Sequence, residues 1–170
     1  MQRRAVIQLL GSGVIAGSTV LSGCARLNKS DSSSTVQMVT KGHQSFFDPI
    51  GLFVEPGKTI EFVMDSGNHS ATVYHEQYSL AEETRIPADA EPFDSGVLID
   101  QGETFKHTFD TKGTYDYYCI PHKTMGMIGR IVVGEPGGPA KGSMPPDGSL
   151  PDSQVIVDKE IIKYKQFKKN

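Results

Sequence analysis

The chain has 170 residues, 37% hydrophobic and 22% charged, with 18 glycines, 10 prolines and two cysteines, which suits one globular domain with tails. Lysine and arginine number 17 against 20 acids, so the net charge of -3 excludes the broad basic field that binds nucleic acid nonspecifically. Two cysteines also exclude a multi-bridge disulfide scaffold and a zinc or iron–sulfur site built from thiolates alone.

The chain opens with Arg3 and Arg4, an apolar stretch over residues 5–21 diluted by Gly11, Gly13 and Gly17, and then Leu21-Ser22-Gly23-Cys24. A charged start, a short apolar run and small residues at its end read as a signal peptide over residues 1–23. The run is short of the roughly 20 residues a membrane-spanning helix needs. Its end resembles a lipoprotein lipobox, which implies cleavage before Cys24 and lipidation of that sulfur. The paired arginines resemble a twin-arginine export signal, with the general export route as the alternative. Removing residues 1–23 leaves a net charge of -5, and residues 24–34 read as the lipidated cysteine and a polar tether. The expected location is the external face of the cell membrane.

From residue 35 to 134 the pattern has period two. Ile60, Phe62 and Met64 alternate with Thr59, Glu61 and Val63, and Phe105, His107 and Phe109 with Thr104, Lys106 and Thr108. Tyr115, Tyr117 and Cys119 share a face, as do Gly129, Ile131 and Val133, and Pro56-Gly57 and Lys112-Gly113 mark turns. Seven or eight short strands predict an all-β antiparallel sandwich or barrel. Residues 76–96 break the alternation and predict a long excursion with a helical turn near residues 80–84. Beyond Gly134, five prolines and several glycines predict a linker or a chain lying extended on the surface. Residues 155–157 offer an edge strand. Residues 159–170 carry five lysines and one glutamate, whereas residues 35–134 carry seven basic and fourteen acidic side chains. This basic tail either packs back on the acidic domain, stays disordered, or meets anionic lipid or an acidic partner.

The densest chemistry is Cys119-Ile120-Pro121-His122-Lys123-Thr124-Met125-Gly126-Met127, at a strand end and the turn that follows. Soft sulfur donors with imidazole suit copper, and two histidines, one cysteine and a long axial methionine form the blue-copper arrangement. The second histidine must come from elsewhere. His69, just past the strand around Ile60–Met64, is the best candidate and His75 its rival; Met127 competes with Met125. His107 reads as structural and His43 as exposed.

This run, with Gly126-Met127 and Gly129 after it, the upstream Gly67-Asn68-His69-Ser70, and Phe47-Asp48-Pro49 with Val54-Glu55-Pro56-Gly57, resembles the cupredoxins of the plastocyanin, pseudoazurin and halocyanin group. The resemblance spans about residues 36–134. It implies copper ligands at His69, Cys119, His122 and Met127 on a Greek-key β-sandwich of about eight strands. In many of these proteins an asparagine follows the first histidine and ties the ligand loops together; here Ser70 stands there, so the bracing must differ. The expected function is a membrane-tethered, monomeric one-electron carrier between membrane-bound redox donors and acceptors, with one copper ion. The alternative is a copper-binding module that delivers metal. Three strong ligands and a methionine leave no open position for a substrate, so no enzyme activity is expected.

Overall fold

The computed structural model describes residues 34–169; the expected signal peptide, Cys24 and nearly all of the tether lie outside the described residues. The chain forms β1 (Thr35–Lys41), β2 (Gln44–Asp48), β3 (Gly51–Val54), β4 (Lys58–Met64), β5 (Thr72–Val73), β6 (Thr104–Phe109), β7 (Gly113–Tyr118), a 3-10 turn (Ile120–Met125), β8 (Ile128–Val133), α1 (Ser153–Lys159), β9 (Ile161–Ile162) and α2 (Tyr164–Phe167). The strands build two sheets, ordered β2-β1-β4-β6 and β5-β7-β8-β3-β9. The chain passes between the sheets after β2, and again after β3. As a result β1 runs parallel to β4, and β3 parallel to β8. The expected purely antiparallel pattern is corrected at these two pairs.

Alternation sets the core as the sequence predicts. Ile60, Phe62 and Met64 are buried while Thr59 is exposed, and they meet Tyr115, Tyr117, Ile131 and Val133 of the facing sheet. Cys119 and Met127 belong to the same buried cluster, so the ends of β7 and β8 deliver their sulfurs into the core. Gly129 is required by its neighbour, since a β-carbon there would lie 2.3 Å from the Tyr117 ring. The Tyr117 hydroxyl is buried without a hydrogen-bond partner. Tyr117→Phe is therefore expected to raise stability by about 1 kcal/mol, read by urea unfolding, because it removes a desolvated hydroxyl and keeps the ring.

Two segments depart from the sequence reading. Residues 75–81 form two successive turns, with Tyr78 N–H donating to His75 O and Ala81 N–H to Tyr78 O, in place of a helical turn at 80–84. The same excursion then buries Ile86, Ala90 and Phe93 at the margin of the core. The edge strand expected at 155–157 is instead part of α1. Asp152 caps that helix by accepting from Gln154 N–H, an interaction a strand would not offer. The cap outweighs the β-branched side chains, and Ile156 enters the space left by Gly51, whose added β-carbon would lie 2.9 Å from it. The ninth strand comes from Ile161–Ile162, antiparallel to β3.

The segment after β8 covers the outer face of the five-stranded sheet, then adds β9 to that sheet's edge and stacks Tyr164 of α2 on Phe46 of β2. Leu150, Ile156 and Ile162 join Tyr74, Tyr118, Ile128 and Val132 in a second buried cluster. This cover explains why every residue of β7 and β8 is buried, although alternation assigns half of them to solvent. Asp116 and Arg130 are both 0% exposed there. Arg130 donates to Asp116 through Nε (2.7 Å) and Nη2 (2.9 Å), and to the carbonyls of Ala140, Ser143 and Pro151. Arg85 donates to the same carboxylate (2.8 Å) and to Ser143.

Candidate metal centre

His69 enters the site from the loop after β4. Its backbone is pinned by a reciprocal pair of hydrogen bonds with Leu98 (3.1 and 2.7 Å). Gly67, at φ +93°, brings the loop against Thr40, where a β-carbon would strike the hydroxyl. The His69 Nε2 lies 2.8 Å from the Ser66 carbonyl oxygen. A carbonyl only accepts, so Nε2 carries the proton and the Nδ1 lone pair faces inward. Thr40 Oγ1 stands 3.1 Å from the same Nε2.

Cys119 closes β7 and begins the 3-10 turn. Its N–H donates to Met127 O (3.0 Å), His122 N–H donates to Cys119 O (3.1 Å), and Met127 N–H donates to His122 O (3.2 Å). These bonds make the turn one closed unit, ended by Gly126 in the left-handed region. Cys119 Sγ stands 3.6 Å from His69 Nδ1 and 3.4 Å from His122 Nδ1. The three donor atoms fall within 4.8 Å of one another, an arrangement that could hold a metal ion. His69, Cys119 and Met127 are buried, and His122 is half-buried at the surface.

The electrostatics agree with a soft cation site. Burial holds both imidazoles below their ordinary range; for His69 the Ser66 carbonyl opposes this and His122 adds to it. Burial pushes the Cys119 thiol up to about 11, against the pull of the Ser70 N–H at 3.4 Å. Neutral imidazoles are the donor form a metal requires, while the thiol must give up its proton as the metal binds. The set fits copper, the ion that thiolate, thioether and imidazole donors select together.

The rival residues go elsewhere. His75 Nδ1 accepts from Gln77 N–H, His107 packs between Phe93 and Phe109, and His43 is exposed. Met125 is 63% exposed while Met127 is fully buried. Ile128 is buried and adds nothing to the surface around His122.

Ser70 braces the two loops in a way the sequence did not reveal. Thr72 Oγ1 donates to Asp94 (2.7 Å). With its one proton used, it accepts from Ser70 Oγ (3.0 Å), which in turn accepts from Ile120 N–H (2.8 Å). A chain of aligned donors thus runs from the turn, next to Cys119, to a carboxylate 25 residues before it in sequence. Thr72 and Asp94 carry no local motif that would have flagged them. Ser70→Ala leaves the Ile120 N–H without its acceptor. It is expected to cost about 1–3 kcal/mol in urea unfolding and to speed loss of bound copper to a chelator.

A family model described as copper binding proteins, plastocyanin/azurin family, matches residues 29–134. The plastocyanin of Prochlorothrix hollandica is 31% identical over 123 residues, spanning 71% of this chain and 85% of its own. The halocyanin of Natronomonas pharaonis is 34% identical over 95 residues, 54% of this chain and 51% of that one. Among solved structures, pseudoazurin from Methylobacterium extorquens AM1 aligns with a TM-score of 0.50 and 26% identity, covering 74% of this chain and 93% of that one. The β-sandwich and its thiol–imidazole site thus define a cupredoxin. The chain belongs to the plastocyanin/azurin family of copper-binding proteins, and its cofactor is one copper ion.

Proposed function

We propose that this chain is a one-electron carrier whose copper is held by His69, Cys119, His122 and Met127. The observation that carries the reading is the convergence of one thiol and two imidazole Nδ1 atoms within 4.8 Å in a mostly buried pocket beside a buried methionine. Bound there, copper supplies reversible one-electron chemistry by alternating between Cu(I) and Cu(II). The residues do the rest. Ser66 and Leu98 fix His69, the Ser70 N–H orients the sulfur, and the closed turn holds His122 and Met127, so little has to move between oxidation states. The surrounding apolar core keeps water from the donors. His122 is half-buried and next in sequence to the exposed Pro121, with exposed Met125 three residues on; its ring edge is the natural contact for a partner. A filled donor set with no open position argues against catalysis.

The lipobox and apolar leader support export, with residues 1–23 removed, Cys24 lipidated and residues 24–34 acting as a tether on the external membrane face. Among the described residues no helix is long and apolar enough to cross a membrane. The expected partners are membrane-bound redox proteins, one donor and one acceptor, met by a monomer.

One equivalent of copper(II) added to the metal-free chain is expected to give an intense visible absorption and repeated reversible reduction with the metal retained. A colourless adduct overturns the reading. Loss of copper on reduction would favour a metal-delivery module instead.

A further inference from the structure

The turn that carries the proposed ligands is also gripped from outside. Lys123 follows His122 directly, yet it is only 7% exposed. A buried ammonium is costly unless it is paired. Lys123 Nζ lies 2.8 Å from Asp147 Oδ2, with Glu82 farther off at 3.7 Å. It also stands over the rings of Tyr74 and Tyr118, 5.6 and 5.7 Å from their centroids. Tyr74 O–H donates to the same Asp147 oxygen (2.6 Å). Beside this pair, the Asp147 carbonyl approaches Gly126, and Gly148 approaches Ile128. Both ends of the segment bearing Asp147 are tied down, because Arg130 donates to the carbonyls of Ala140 and Ser143 on one side and Pro151 on the other.

Asp147 lies beyond residue 134, where the match to the family model ends. A two-sheet domain without this segment would leave Lys123 without its nearest counter-ion. We propose that residues 140–151 form a strap that positions the copper site: Asp147, through Lys123, holds the turn of Cys119, His122 and Met127 in its binding geometry before the metal arrives. The role assigned to the turn rests on the ligand set proposed above. The lock itself consists of contacts in the protein alone, so it can be tested without copper.

Cys119 is 0% exposed, so a thiol reagent reaches it only when the turn opens, and the alkylation rate measures that opening. In the metal-free full chain, with modification at Cys119 followed by mass spectrometry, Lys123→Met and Asp147→Asn are each expected to speed alkylation by about ten-fold or more, with little further gain in the double variant. Ile156→Val, which trims the tail core beside Gly51 and leaves the charges of Lys123 and Asp147 unchanged, serves as the control for general loosening. Rates for both single variants close to that of the unaltered chain overturn the proposal. So does acceleration no larger than the control shows for the same loss of unfolding free energy. In the copper(II)-loaded chain, Lys123→Met is expected to shift the visible band while Ile156→Val leaves it in place; an unshifted band also overturns the proposal. If the unaltered chain gives no visible band, the ligand reading fails, and the alkylation rates still decide whether the strap holds the turn.

Discussion

Asp116→Ala is expected to cost about 3–5 kcal/mol of stability in urea unfolding, the largest loss of any single substitution considered. The carboxylate is fully buried between two guanidiniums that are themselves 0% and 3% exposed. It accepts from Arg130 Nε and Nη2 and from Arg85 Nε. Alanine leaves Arg130 with neutral acceptors only, three carbonyls and the Ser153 hydroxyl, and leaves Arg85 with Ser143 and the carboxylate of the half-exposed Glu83. Neither set neutralises two buried positive charges. The strap should loosen with the cluster, because the Arg130 that donates to Asp116 also donates to the Ala140, Ser143 and Pro151 carbonyls. Limited proteolysis is therefore expected to cut first within residues 135–152. Asp116→Asn should lose less, since the amide keeps one oxygen facing the guanidiniums. A loss below about 1 kcal/mol for Asp116→Ala would mean that the remaining acceptors satisfy both arginines.

That cluster also marks what could not be read in advance. Asp116 stands between Tyr115 and Tyr117 in a strand whose alternation assigns it to solvent. Alternation reports which face a residue takes, and it is silent on whether something distant covers the other face. The cover comes from residues 135–169, whose prolines and glycines read as a linker or a chain extended on the surface, and whose basic end left packing back on the domain as one of three readings. The helix within it was signalled by the capping aspartate at 152, and the β-branched run Val155, Ile156, Val157 pointed the other way. Where one face meets the core, as at Ile60, Phe62 and Met64, the pattern and the burial coincide. Parallel pairing of β1 with β4 depends on where the chain changes sheets, which no local periodicity encodes.

The candidate site divides along the same line. Cys119, His122 and Met127 are close in sequence, so their spacing marks them as candidates. Exposure then separates Met127 from Met125, a distinction composition does not make. His69 arrives from fifty residues upstream of Cys119 and was favoured over His75 by its place just past a strand and by the family resemblance. The groups that hold these four in place, Thr40, Ser66, Leu98, Thr72, Asp94 and Asp147, are scattered through the chain and hydrogen-bond or pair by tertiary proximity. Candidate donors announce themselves by chemistry, and their supports are visible only once the fold has brought them near.

Cys119→Ser is expected to abolish the intense visible absorption of the copper(II)-loaded chain and to weaken copper binding by more than about 100-fold, beyond the effect of altering only the groups around a ligand. A serine hydroxyl keeps its proton at neutral pH and is a hard donor, so it neither supplies the sulfur-to-metal charge transfer nor suits Cu(I). The metal-free fold should survive the change. The new hydroxyl can accept the Ser70 N–H and donate to an imidazole Nδ1, as the thiol's neighbours allow, which limits the stability change to about 1 kcal/mol. Loss of colour with an intact unfolding transition therefore separates a donor from a core residue, the other role a buried cysteine can fill. Met127→Leu should behave differently: a weak axial thioether tunes the potential more than it binds the ion, so the colour stays and the reduction potential moves. If serine at position 119 kept the colour and leucine at 127 removed it, the order of donors proposed for this site would be reversed, and with it the case for an electron carrier.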